Sequence, residues 1–276
     1  MPARRCLVVI GATAAAFGGI GASVAAQEPR RIDMVYEVTA AGVAGVRVEV
    51  TARFDETRYD IESRAFKIGV LRALTPRYEG HNRAWGLLHA GTAVPAPVGG
   101  TLSIAVSDQR RSWQVRYGAG GRVEERHDPP WRPTPARDIG DKDRQGALDP
   151  LTAVLSVGFA GEAACERTVP SFDGKRRIDV LLHKIGTETP AQAGVAQAKD
   201  GVLVCEARLR RVAGDFGEEP ASTDGKERPA RVWLARLDSS PFRYPARLEV
   251  QGSLGLVRAR LLSVSERPLA PQGTMR

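Results

Sequence analysis

Asp173, Lys175, Arg176, Arg177 and Asp179 are the most suggestive polar cluster in the chain. A guanidinium presents a planar fork of donors, so Asp173, Arg176 and Arg177 are candidate contacts to a phosphate or carboxylate headgroup. The competing reading is local. Asp173-Gly174 makes a tight turn, and Arg177 and Asp179 share one strand face as a screened ion pair.

Other chemistries lack their residues. His81, His89, His127 and His183 sit in separate segments, with neither a His-Glu-x-x-His run nor a short histidine pair, so no metal set converges locally and none is expected. No Gly-x-Ser-x-Gly elbow marks a serine nucleophile, although Ser103, Ser107 or Ser112 can meet a histidine on folding. Neither a Gly-x-Gly-x-x-Gly nor a phosphate-cradling Gly-x-x-x-x-Gly-Lys-Ser/Thr segment occurs, so no nucleotide or other cofactor is expected.

The N-terminus gives a compartment. Arg4 and Arg5 precede an apolar run from Leu7 to Ile20, then the small-residue exit Val24-Ala25-Ala26. This order predicts a signal peptide over residues 1–26 that is cleaved on export, placing the protein in the periplasm. No cysteine stands at the cleavage point for lipidation, and no later run is long enough for a transmembrane helix. In an oxidising compartment the remaining Cys165 and Cys205 are expected to form a disulfide. Such a bridge stabilises by at most about 4 kcal/mol in the chain-entropy model. A redox pair is the alternative, without the Cys-x-x-Cys spacing that would favour it.

The 276 residues are 42% hydrophobic and 26% charged, with a formal charge of +8, a composition that folds. The cations are scattered, so nucleic acid is not an expected partner, while weak attraction to anionic lipid or polysaccharide stays open.

The elements that must position these groups are mostly strands. Val46, Val48, Val50, Ala52 and Phe54 alternate with polar residues, as do Tyr59, Ile61, Ser63 and Ala65, and Asp55-Glu56-Thr57 turns between them. Met34–Thr39 precedes this hairpin as a further strand. Ile68, Leu71 and Leu74 predict a short helix ending at Thr75-Pro76. Trp113–Tyr117 and Arg122–Arg126 flank a glycine-rich turn. The proline-rich stretch His127–Gly146 is expected to cross as a loop. Asp149 caps and Pro150 opens a second helix, which packs through Leu151, Val154, Leu155 and Phe159.

A third hairpin joins Val169–Phe172 to Lys175–Leu182, its first strand placed at an edge by Pro170. Val202–Arg210 sets Leu203, Cys205, Ala207 and Leu209 on one face, and Val232–Leu237, Arg247–Gln251 and Leu256–Val264 complete the strands. Loops are expected at Gly186–Gly201 and Ala213–Ala230. The resulting expectation is a mainly β, at most α+β, single domain over residues 27–266. Its curved antiparallel sheet or partly open β-barrel carries one or two short helices, and residues 267–276 form a disordered tail.

The Asp149-Pro150-Leu151 helix start, the Cys165 and Cys205 pair, the Phe172-Asp173-Gly174-Lys175-Arg176-Arg177 turn and the Trp233 strand resemble the DUF3108 family of exported bacterial proteins. Tyr36, Gly42 to Gly45 and the segment Ile68 to Leu74 fit the same pattern, whereas Gly214-Asp215-Phe216 replaces an expected Gly-Phe. The resemblance implies an envelope protein with a curved sheet similar to the half-barrels of periplasmic lipoprotein carriers. It implies no activity.

The functional expectation is non-enzymatic binding of a lipid, glycolipid or other amphipathic envelope component, or of an envelope protein. Inward residues such as Val46, Val48, Val50, Tyr59 and Ile61 either line a cavity for it or pack as core. The alternatives are an envelope hydrolase or transferase whose site assembles on folding, and a structural or assembly factor. The sequence sets no oligomeric state.

Overall fold

The computed structural model describes residues 29–89, 95–130, 139–214, 229–237, 242–252 and 255–269. The expected signal peptide, Pro133 and Pro135 of the crossing loop, Asp215 and Phe216, the turn residues Ser253 and Leu254, and tail residues 270–276 lie outside them.

Seven strands come first: β1 (Arg30–Ala40), β2 (Val43–Phe54), β3 (Arg58–Lys67), β4 (Tyr78–Leu87), β5 (Ala96–Val106), β6 (Gln109–Tyr117) and β7 (Val123–Asp128), with helix α1 (Gly69–Leu74) between β3 and β4. Helices α2 (Asp141–Arg144) and α3 (Pro150–Phe159) follow, then β8 (Arg167–Phe172), β9 (Arg176–Glu188), helix α4 (Pro190–Ala193), β10 (Val202–Gly214), β11 (Ala230–Arg236), β12 (Arg243–Gly252) and β13 (Gly255–Pro268).

All thirteen form one antiparallel sheet in the order β7-β6-β5-β4-β3-β2-β1-β13-β12-β11-β10-β9-β8. Every neighbour is a sequence neighbour except at the centre, where the first and last strands pair. The sheet is therefore an up-and-down meander, left open between β7 and β8. The chain leaves it there because the prolines after Asp128 cannot join a central ladder.

Side chains span the seam. The Trp113 indole N–H on β6 donates to the Asp173 carbonyl in the β8–β9 turn. Fully buried Phe172 packs with Trp113, Val115, Val123, Ile139 and Ala147. Leu148 covers part of the β8 edge, donating its N–H to the Pro170 carbonyl at 2.9 Å and accepting from Phe172 at 2.8 Å. That leaves less unpaired backbone for another chain to join.

Helix α3 lies within the curve and touches β3, β4, β8 and β12. Asp149 Oδ1 accepts from the backbone of Leu151 at 3.0 Å and Thr152 at 2.9 Å, the cap expected from sequence. Leu155 is fully buried in one cluster with Ile32, Phe54 and Ile61 of β1 to β3 and Ala235 and Tyr244 of β11 and β12. Phe159 meets Phe54 and Phe242 with ring centroids 5.5 and 5.3 Å apart. Gly158 permits this approach, since a β-carbon there would fall 2.1 Å from the Phe242 ring.

Several expectations need correction. Val154 is exposed, because one helical step of about 100° turns it away from Leu155. Leu209 is exposed too, since the buried cluster over β10 ends at Ala207. Among the described residues there are four short α-helices, with α2 inside the expected crossing loop and α4 inside the Gly186–Gly201 loop. His127 and Asp128 belong to β7, Gly186 to Glu188 to β9, and Arg267 and Pro268 to β13.

Strands β4 and β5 were not expected: Gly80 and Gly86 interrupt β4 and Gly99 and Gly100 the start of β5, although Leu102, Ile104 and Val106 alternate with Thr101, Ser103 and Ala105. Those glycines make room: a β-carbon on Gly99 would meet the Trp85 ring at 2.6 Å, and one on Gly86 the Tyr59 ring at 2.6 Å.

Candidate functional site

The Asp173–Asp179 cluster spans the β8–β9 turn and the start of β9, beside the open seam. Asp173 Oδ1 accepts from the backbone of Lys175 at 3.0 Å and Arg176 at 2.8 Å, and Oδ2 pairs with the Arg176 guanidinium at 2.7 Å. Arg177 donates to the Asp143 carbonyl at 2.6 Å and pairs with Asp179 at 2.7 Å. Asp179 also holds Arg210 at 2.5 Å. Burial opposes the Asp179 charge, but hydrogen bonds from Arg210 and Arg177 outweigh it and hold the carboxyl below its ordinary range. Lys175 lies over Trp113, 5.2 Å from the ring centroid. Arg176 and Arg177 therefore have intramolecular partners, and the Trp113 bond to Asp173 ties the turn across the seam.

The histidines stay apart. His127 stacks on Trp113 with centroids 6.3 Å apart, and burial followed by Lys175 lowers its proton affinity. His183 faces Glu166 at 3.5 Å on an exposed surface. Ser103 lies opposite His81 in the ladder, yet its hydroxyl reaches the His81 carbonyl, at 3.4 Å, rather than the ring. Among the described residues no three His, Cys, Asp or Glu side chains converge as metal ligands.

Cys165 and Cys205 are bonded, with both residues fully buried. The bridge ties the short helical turn after α3 to β10, fixing the helix against the C-terminal half of the sheet.

A buried polar network holds the other end of α3. Tyr59 and Thr152 share a hydrogen bond between hydroxyls at 2.7 Å, and the Thr152 hydroxyl donates to Asp149. Burial raises the Asp149 carboxyl above its ordinary range despite these bonds. Asp149 is bonded to Thr152 and to the Leu151 amide, the pattern of a helix cap.

The inner face changes character along its length. At the end covered by α3, Ile32, Met34, Ala52, Phe54, Tyr59 and Ile61 are buried. Towards the opposite end the same alternation continues through Tyr36 and Val38 on β1 and Val50, Val48 and Val46 on β2, all only half-buried. Register extends the surface: Tyr36 faces Val48 and Leu261, Val38 faces Val46 and Ala259, and Ala259 faces Leu248. Leu248, Ala259 and Leu261 are also half-buried. The inner wall beyond α3 is thus continuous, apolar and partly open to solvent.

Two phenols border it. Tyr36 donates to the Met34 sulfur at 3.3 Å. The Tyr244 hydroxyl is buried without a hydrogen-bond partner among the described residues, and burial pushes its proton affinity up to about 12. Tyr244 therefore stays protonated and remains a donor.

At this open end the outer surface has a groove of about 590 Å³ beside α1, lined by Arg64, Lys67, Arg72, Arg77, Tyr78 and two carboxylates, Glu49 and Glu79. Glu79 engages Arg64 and, at 3.2 Å, Arg77. A second groove, about 650 Å³, runs over β8 to β10 between Glu166, Arg167, His183, Glu206 and Arg208.

The inner positions Val46, Val48, Val50, Tyr59 and Ile61 expected from sequence therefore divide. Tyr59 and Ile61 are core under α3, and the three valines line the partly open wall. Leu248, Ala259 and Leu261 were missed as wall residues because only long-range pairing of β1 with β13 places them beside Tyr36. Arg72 and Arg77 had no local signal beyond charge.

Residues 31–261 match the model of a family described as a protein of unknown function, DUF3108. None of the curated proteins matches the chain. Seven chains of solved structures do. One is the crystal structure of a β-barrel-like protein of domain of unknown function DUF1849 from Brucella abortus, 12% identical, covering 87% of this chain and 98% of that one, with a TM-score of 0.48.

Proposed function

Because this chain belongs to the DUF3108 family, whose description assigns no activity, we propose its role from its geometry: an exported envelope protein that binds an amphiphile without transforming it. The apolar part lies on the inner wall beyond α3, and an anionic head meets the cations at the open end. The observation that carries this reading is the change along one sheet face from buried to half-buried apolar residues. A carrier needs such a wall, because each CH₂ transferred from water onto it contributes about 0.8 kcal/mol. Tyr244 offers a buried donor to a polar group of the ligand.

Export is supported by the basic, apolar and small order of residues 1–26. The Cys165–Cys205 bond suits an oxidising compartment. The test is titration of the protein with a fluorescent fatty acid. Val48→Trp, which fills the wall at its centre, is expected to weaken binding at least tenfold while leaving the melting transition cooperative. Unchanged affinity in a folded Val48→Trp protein, or no binding by the parent, overturns the reading.

A further inference from the structure

We propose that the open end of the sheet docks on the surface of an anionic lipid bilayer. This rests on the amphiphile reading and names where the amphiphile is exchanged. Single exposed aliphatic residues carry no message on a soluble surface. Here, however, five of the twelve large exposed hydrophobic residues among those described, Val43, Val70, Leu74, Val106 and Leu256, occupy one continuous rim.

Backbone contacts establish that continuity. The Ile68 amide donates to the Gly45 carbonyl at 3.0 Å, joining α1 to the start of β2, and Ala41 donates to Leu256 at 3.0 Å, joining the β1–β2 and β12–β13 turns. Ser107 donates to Arg77 at 2.9 Å, joining the β5–β6 turn to the other side of α1.

Helix α1 turns part of its apolar surface outward. Leu71 rests on Gly45, while Val70 and Leu74, four residues apart on one helix face, are 51% and 76% exposed. Lys67 holds this arrangement, its ammonium donating to Thr75 Oγ1 at 2.7 Å and to the Pro76 carbonyl at 3.0 Å. The helix is therefore presented in a fixed pose.

Charge selects the partner. Arg72 on α1, Arg77 just after it and Arg110 and Arg111 at the start of β6 are exposed around the aliphatic side chains. Asp108 shares their turn, and Glu79 is engaged by Arg64 and Arg77. Cations interleaved with exposed aliphatic residues match a bilayer interface bearing anionic headgroups. An uncharged partner would leave the arginines without a counterpart.

The test is cosedimentation with vesicles of phosphatidylcholine alone or mixed with phosphatidylglycerol, comparing parent and variants with the same N-terminus. Binding is expected to the mixed vesicles, at least tenfold above the neutral ones, and to weaken with salt. Arg72→Glu and Arg77→Glu should each lower binding about fivefold or more, and Val70→Asp with Leu74→Asp should abolish it. Leu87→Asp, an exposed aliphatic position at the opposite end of β4, should leave it unchanged, and Leu74→Trp should shift its emission to the blue on mixed vesicles.

Equal binding to both vesicle types, binding indifferent to the rim variants, or no binding by the parent overturns the proposal. Fatty-acid affinity measured on the same proteins separates the two readings. Failure of docking with fatty-acid binding intact removes the bilayer proposal alone. Docking by a protein that binds no fatty acid removes the carrier reading instead.

Discussion

Asp149 does two opposing things at once. Its carboxylate caps α3 and accepts from Thr152, which favours charge, yet burial raises its proton affinity above the ordinary value of 3.8. The folded state therefore holds this proton more tightly than the unfolded chain. Its contribution to stability is complete below pH 3.8 and is lost as pH rises through the folded value. Asp149→Asn keeps an oxygen for the Leu151 and Thr152 amides and removes the charge. Stability at pH 7 should remain within about 1 kcal/mol of the parent or rise, and the variant's stability relative to the parent's should increase as pH rises from 4, as read by urea melts of both proteins across pH. Asp149 and Pro150 were legible as a helix start because capping is local chemistry. The Tyr59–Thr152 bond was not, since its partners are 93 residues apart.

Helix α3 is positioned by its surroundings more than by its own ten residues. The cap network fixes its start against β3, and the Cys165–Cys205 bond fixes the turn after its end against β10. Replacing both cysteines by alanine should lower unfolding stability by about 2–4 kcal/mol, measured by chemical denaturation under non-reducing conditions. No loss would mean that packing alone seats the helix. The hairpins around Asp55-Glu56-Thr57 and Asp173-Gly174 could be read from alternation and turn residues. Strand β4 could not, because Gly80 and Gly86 leave it little apolar alternation, and the start of β5 is likewise masked by Gly99, which makes room for the Trp85 ring, whereas Leu102, Ile104 and Val106 did carry a period-two signal. Likewise the exposure of Leu74 is invisible in a helical repeat, which looks the same whether its apolar face turns in or out.

On the scale of the whole molecule, the central pairing of β1 with β13 and the open seam between β7 and β8 make the sheet a curved shell around α3. The helix fills one part of that shell and leaves an apolar wall in the other. A curved sheet with an inward apolar face was expected from sequence, but how far a helix would cover it depended on where the chain re-enters after the proline-rich crossing. Binding at the uncovered wall is the central claim. The most direct measurement is mass spectrometry of organic extracts from protein purified gently out of the producing cells, beside extracts of the folded Val48→Trp protein. A stoichiometric amphiphile in the parent, depleted in the variant, is the predicted result. A parent that yields none, or a variant that retains the same load, would contradict it.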